Sequence, residues 1–312
     1  TSGATMGTRF SARFHAPPAA DVRAIGQALA AAVGAVDRQM SNWNPDSDLS
    51  RLNRTPPGSW TAVPADLATV LARAMAIGRA TGGAFHIGLG DLVDAWGFGP
   101  SRLTAPDRLP TTAAARPPID ALLEVDPAGS RARRLAPVAL DLCGIAKGFG
   151  VDALARVLQA HGIGHGLVGI DGELRALGGK PDGTPWAIAL EAPDDDRRGA
   201  MAVVGLADAA IATSGDYRHC TTVQGQRIAH TMDPRTQAPL VDAPASVTVI
   251  APSCMDADAH ATALMVLGEA AGRALAQRLG LDALFVRREA GGLRTSGTGA
   301  FDSRPDPLSA AA

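Results

Sequence analysis

The sequence predicts an α+β sandwich with mixed or antiparallel strand pairing, and three observations lead there. Apolar-periodic helices and short alternating strands are interleaved irregularly along 312 residues, without the regular strand-helix alternation of a parallel sheet. Several strand pairs are joined by short turns, as at Asp171-Gly172, which signals antiparallel hairpins. No internal repeat or low-complexity linker divides the chain, so residues 1–301 read as one domain and residues 302–312 as a flexible tail.

Residues 1–14 read as a strand entered through a turn, with Gly3 and Gly7 as punctuation. Residues 21–40 read as a helix capped by Asp21, since Val22, Ile25, Leu29, Val33, Val36 and Met40 keep a three- or four-residue period. Residues 41–53 read as a polar loop around Trp43, which either caps helices or covers a ligand by stacking. An amphipathic helix follows over residues 64–81, stopped by Gly82-Gly83. Residues 84–99 are too glycine-rich for a regular helix and too apolar for a free linker; His86 within them is either a ligand contact or a structural histidine. Five prolines make residues 100–118 a surface excursion. The core pattern resumes at residues 119–125.

Residues 135–142 are an apolar run expected as a strand, and residues 151–160 carry a helical apolar face. Between them stand Gly144, Lys147, Gly148 and Gly150, flanked by Asp141 and Asp152. Glycines at such a junction let backbone approach a bound group, and a helix start attracts anions. The stretch is therefore either a phosphate-binding turn or a plain one. Lys147 and Lys180 are the only lysines of the chain, which singles Lys147 out. Strand pairs follow at residues 165–176, 186–192 and 201–206. Further strands are expected at residues 209–212, 227–229, 245–251, 281–287 and 293–295, with a long helix over residues 256–276.

The net charge is −2 and no basic run stands out, so nothing points to nucleic acid. No stretch is apolar enough for a transmembrane helix. Thr1 is not an initiator methionine and no signal peptide is visible, so the residues do not give the compartment. Cys143, Cys220 and Cys254 are widely spaced without a C-x-x-C pair; a disulfide framework or zinc site is not expected, and each reads as a small buried hydrophobe. Asp258 and Thr262 stand four apart at the start of the last long helix, hence on one face. A carboxylate and a hydroxyl so placed suit a hard cation such as Mg²⁺; the plainer alternative is that Asp258 only serves the helix N-terminus.

The ordered set of segments resembles the FAD:protein FMN transferase family (the ApbE family). The carriers are Met6-Gly7-Thr8, residues 44–53 (Asn-Pro-Asp-Ser-Asp-Leu-Ser-Arg-Leu-Asn), Gly82-Gly83-Ala84-Phe85 and residues 141–148 with Asp152. Residues 212–217 (Ala-Thr-Ser-Gly-Asp-Tyr), His230 with Asp233-Pro234-Arg235-Thr236, and Ala257-Asp258 with Thr262 complete the set. The resemblance implies a T-fold-like sandwich that holds FAD with Mg²⁺ and moves FMN to a Thr or Ser hydroxyl of an acceptor protein, releasing AMP. It implies Mg²⁺ ligation by Asp258, Thr262 and the Gly144 carbonyl. It implies an FAD site lined by Met6, Trp43, Ala84, Phe85, His86, Asp141, Lys147 and Thr231, with His230 handling the acceptor's proton.

Three departures accompany it. His86 stands where the family has Asp, Trp43 where tyrosine is usual, and the family's Asn-x-Gly-Gly-Asp reads Gly169-Ile-Asp-Gly-Glu173. The His86 and Gly169 changes motivate one alternative, an FAD-binding protein without transfer activity; a Mg²⁺-dependent FAD pyrophosphatase, with water in place of the protein hydroxyl, is a third reading. The expected partner is a flavoprotein domain with a Ser-Gly-Ala-Thr-like motif. Ser2-Gly3-Ala4-Thr5 resembles that motif too, which makes Thr5 a candidate for self-modification. By resemblance the location is the bacterial periplasm or cell envelope, with no lipid anchor visible in this chain.

Overall fold

A computed structural model describes residues 1–100, 115–194, 199–217, 220–223 and 226–302. Most of the 100–118 excursion and nearly all of the expected tail lie outside them. In chain order the first elements are β1 (Ser2–Thr5), β2 (Thr8–Phe14), α1 (Val22–Met40), α2 (Asp48–Arg54), β3 (Thr61–Ala62), α3 (Ala65–Ala80) and α4 (Gly90–Ala95). Next come β4 (Leu123–Asp126), β5 (Arg131–Arg134), α5 (Ala146–Ala160), β6 (Gly166–Ile170), β7 (Glu173–Leu177), β8 (Trp186–Glu191) and β9 (Ala200–Leu206). The chain continues through β10 (Ala210–Gly215), β11 (Cys220–Val223), β12 (Gln226–Ala229), β13 (Met232–Asp233) and β14 (Ala238–Pro239). It closes with β15 (Ser246–Ala251), α6 (Cys254–Leu279), β16 (Asp282–Glu289) and β17 (Gly292–Thr298).

The described residues gather into two compact units that interleave in sequence. One holds the described residues within 1–34, 147–217 and 244–302, the other those within 35–146 and 220–243. The first is built on an eight-stranded sheet of order β1-β2-β6-β7-β10-β15-β16-β17, antiparallel at every pairing, which bears out the α+β expectation. Alternation along the strands sends residues to two cores. Val168, Ile170, Leu177 and Ala210 pack with Ile25, Leu29 and Val33 of α1 and Val151, Leu154 and Leu158 of α5. Ala176, Ile211, Leu284 and Val286 face Trp186, Ile188, Leu190 and Leu206 of the β8-β9 hairpin. Each fully buried aliphatic side chain contributes about 1.5–3 kcal/mol, so these two faces carry the unit.

The single strand expected over residues 1–14 is a hairpin. Met6 (φ 46°) and Gly7 (φ 71°) form its two-residue turn, and Thr5 pairs with Thr8. The Thr5 hydroxyl oxygen is buried without a hydrogen-bond partner among the described residues. Asp21 caps α1 as expected, its Oδ1 accepting from the Ala24 amide at 2.9 Å. The last long helix is broken at Gly268, whose φ of 75° and ψ of 176° are open only to glycine.

The second unit sets α2, α3 and α4 with the three-stranded sheet β3-β5-β4 and two small hairpins. Part of the loop expected at residues 41–53 is α2, because Ser47 is its N-cap and accepts from the Ser50 amide at 3.0 Å. The strand expected over residues 135–142 is absent. Pro137 interrupts the run, and the Asn53 side chain serves the backbone there instead: its Nδ2 donates to the Leu140 carbonyl (2.9 Å) and its Oδ1 accepts the Leu140 amide (2.8 Å).

Candidate functional site

The start of α5 organises the candidate residues of the first unit. The helix begins at Ala146, five residues before the expected start, so Lys147, Gly148 and Gly150 lie in its opening turns and not in a free loop. Long-range packing explains the difference. A Cβ on Gly148 would collide with the Cys254 carbonyl oxygen and stand 2.8 Å from the Met255 Cα, so glycine is required where α5 meets the beginning of α6. A Cβ on Gly150 would stand 3.1 Å from Met6 Cε of the β1-β2 turn.

Opposite Gly148, the N-terminus of α6 is fully capped. Asp152, 3% exposed, accepts the Cys254 amide at Oδ1 and the Met255 amide at Oδ2, each at 3.0 Å, while pairing with Arg175. Ser253 takes the Asp256 amide at 3.2 Å, so the first three helical N–H groups all have side-chain acceptors. With those amides satisfied, Asp258 is not needed as their cap. Its Oδ2 accepts instead from the Gly148 amide at 3.0 Å.

Asp258 is 4% exposed, and burial together with the charge of Glu173 pushes its carboxyl up to about 7. One turn on, the Thr262 hydroxyl lies 3.2 Å from the Ser214 hydroxyl at the end of β10. Lys147 Nζ donates to Glu173 Oε1 at 2.6 Å. Burial opposes the lysine's charge, but the carboxylates of Glu173, Asp258 and Asp171 more than reverse this and hold it protonated. Burial also raises the Glu173 carboxyl, with Lys147 opposing. Among the described residues no three His, Cys, Asp or Glu side chains assemble as a metal cluster. The donors present are one carboxylate and neighbouring hydroxyls, all hard oxygens. Such a set fits a magnesium-like ion that completes its shell with water and substrate phosphate.

The second unit carries the other expected residues. Asp141 sits in the turn before α5, its Oδ2 accepting from Asn42 Nδ2 (2.8 Å) and its Oδ1 from the Cys143 amide (2.7 Å); burial raises its carboxyl. Gly144 lies in the same turn, half-buried. Cys143 is exposed, against the expectation of a buried hydrophobe, with its Sγ donating to Asn42 Oδ1 at 3.8 Å; Cys254 is buried as expected, and the Cys220 side chain lies outside the described residues. Trp43, beside Asn42, is 54% exposed and leaves a ring face available.

Ala84 and Phe85 are buried behind the Gly82-Gly83 turn, the Phe85 amide held by the Thr81 hydroxyl at 3.1 Å. Both nitrogens of His86 are engaged: Nδ1 accepts the Gly88 amide at 3.0 Å and Nε2 meets the Pro117 carbonyl at 2.9 Å. Burial lowers its pKa, which matches a neutral ring with Nε2 donating. His230 stands edge-on to Phe98 at 6.4 Å between ring centroids, next to Thr231, whose carbonyl takes the Leu240 amide at 2.9 Å. The Asp233-Pro234-Arg235-Thr236 turn is closed by Asp233 accepting from the Arg235 backbone amide (2.8 Å) and guanidinium.

Three contributors were given no role from the sequence. Asn42 supports Asp141, Ser214 supports Thr262, and Glu173 holds Lys147. Ser214 and Glu173 lay in segments the sequence singled out, at residues 212–217 and 169–173, but nothing there indicated their partners.

The ApbE family model matches residues 6–285. An FAD:protein FMN transferase of Vibrio cholerae is 37% identical, covering 96% of this chain and 90% of its own, and that of Haemophilus influenzae is 36% identical, covering 96% and 89%. Among solved structures, the apo flavinyl transferase ApbE of Pseudomonas stutzeri superposes with a TM-score of 0.84 at 37% identity, covering 97% of this chain and 95% of that one. The ApbE protein of Thermotoga maritima gives 0.81 at 25% identity, covering 96% and 97%. By the matched span and these identities, the chain belongs to the ApbE family.

Proposed function

We propose that the chain is an FAD:protein FMN transferase that uses Mg²⁺ and passes FMN to a Thr or Ser hydroxyl of an acceptor protein, with AMP as the leaving product. The relatives' activity supports the class of reaction. The observation that carries the reading is the hydrogen bond from Gly148 to Asp258, which sets Lys147 and the Asp258–Thr262 pair around one place in the first unit. Asp258 and Thr262 would hold the ion by side chain and Gly144 by its carbonyl. When bound, Mg²⁺ withdraws charge from the phosphoryl oxygens as the pyrophosphate bond breaks.

The chain's own residues do the rest. Lys147, kept protonated by its carboxylates, offers a fixed positive charge to the pyrophosphate. Trp43 offers its exposed ring for stacking, and Met6, Ala84, Phe85, His86, Asp141 and Thr231 line the remaining FAD contacts. His86, with both nitrogens used, contributes through shape and not as a free donor. The acceptor's hydroxyl oxygen attacks the phosphorus on the FMN side, the bond to the bridging oxygen breaks, and AMP leaves with that oxygen. His230 takes the hydroxyl proton, since a neutral hydroxyl is a weak nucleophile. The acceptor is a flavoprotein domain carrying a Ser-Gly-Ala-Thr-like motif, and the setting is the bacterial cell envelope.

Incubating the protein with FAD and Mg²⁺, with and without an acceptor domain, separates this from its alternatives. Transfer predicts AMP release together with FMN mass on the acceptor. AMP release without acceptor identifies a pyrophosphatase, and FAD bound without any AMP identifies a carrier.

A further inference from the structure

Lys147 pairs with the Glu173 carboxylate at 2.6 Å, and the charges of Asp258 and Asp171 also favour its protonated form. Glu173 and Asp258 are buried, at 3% and 4% exposure, and consecutive residues of α5 hold them: Lys147 Nζ donates to Glu173 Oε1 and the Gly148 amide donates to Asp258 Oδ2. The second oxygen of Glu173, Oε2, is buried and has no hydrogen-bond partner among the described residues. The β6-β7 hairpin fixes that side chain, because Glu173 opens β7 opposite Ile170 directly after a turn with Asp171 at φ 53°. That second oxygen is placed to accept from a donor that the described residues do not supply, and a buried acceptor left without one is costly.

We infer that Glu173 is a positioning residue of the cation site, whose Oε2 accepts a hydrogen bond from a water in the shell of a divalent ion held by Asp258 and Thr262. The inference rests on the cation reading given above and deepens it. Magnesium-like ions keep several waters, and groups that orient those waters tune affinity about 10- to 100-fold.

Mn²⁺ alone is the probe, titrated into the full chain and followed by the electron paramagnetic resonance signal of the free ion. Glu173→Gln is expected to weaken Mn²⁺ binding about 10- to 100-fold, and Glu173→Asp to recover most of that loss because it restores the charge. Asp258→Asn is expected to abolish binding. If Glu173→Gln melts early, the double variant Lys147→Met with Glu173→Gln, which removes the pair together, takes its place and must still lose affinity. Binding by Glu173→Gln within twofold of the parent, with Asp258→Asn defective, overturns the inference and leaves the cation reading standing. Failure of the parent to bind Mn²⁺ overturns both.

Discussion

Replacing Asp152 by alanine tests how the site's helix is anchored. The Asp152 carboxylate accepts two backbone amides of α6 and pairs with Arg175. Its loss leaves the Cys254 and Met255 amides without acceptors and Arg175 without its counter-ion. A hydrogen bond to a charged group contributes about 1.5–3 kcal/mol, and removing one partner of a buried pair costs about 3–5 kcal/mol. These overlap, so about 3–5 kcal/mol is expected for Asp152→Ala. With a urea slope near 3 kcal/mol per M, the midpoint falls by about 1–1.7 M. Asp152→Asn keeps one acceptor oxygen and therefore one amide, and should lose roughly half as much. Urea denaturation followed by circular dichroism at neutral pH measures both. A midpoint for Asp152→Ala within about 0.2 M of the parent, or Asn as damaging as Ala, would refute the capping argument.

Three further outcomes follow from the geometry. Gly148→Ala forces a Cβ into the α6 backbone and should cost at least about 1–3 kcal/mol in thermal or chemical unfolding, whereas parental stability would show that the helices are not in contact there. Trp43→Ala should leave unfolding unchanged while weakening FAD binding about 3- to 10-fold by fluorescence titration; a fall in stability instead would make the ring structural. Arg294, with help from Ser296, holds the Glu269 carboxyl down at about 2, below the ordinary 4.5. A depressed carboxyl stabilises above its unfolded value and loses that as pH falls through its folded one. The stability gap between the parent and Glu269→Gln should therefore be full near pH 6 and close between about 4.5 and about 2; a gap that widens on acidification contradicts the pairing.

The long periodic helices and the β6-β7 hairpin were legible because their signals are local. Val22 to Met40 repeats every three or four residues over five turns, and Asp171-Gly172 marks its own turn. The start of α5 was not legible, because three glycines and a lysine read as a loop until α6 is laid against them; Gly148 is selected by a backbone more than a hundred residues away. The run at residues 135–142 misled for a similar reason, its backbone being held by Asn53 from α2 and not by a neighbouring strand. Likewise the Lys147–Glu173 pair joins residues 26 apart across a helix and a sheet, with no spacing rule to reveal it. The motif order announced the family, while the partners that make its residues chemically competent emerged only in three dimensions.

The most direct measurement is the intact mass of an acceptor flavoprotein domain after incubation with FAD, Mg²⁺ and either the parent chain or Asp258→Asn. An increase of one FMN with the parent, lost on chelation and lost with a folded Asp258→Asn, is the result expected of a cation-assisted transfer. Undiminished FMN addition by Asp258→Asn, or none by the parent, would contradict it.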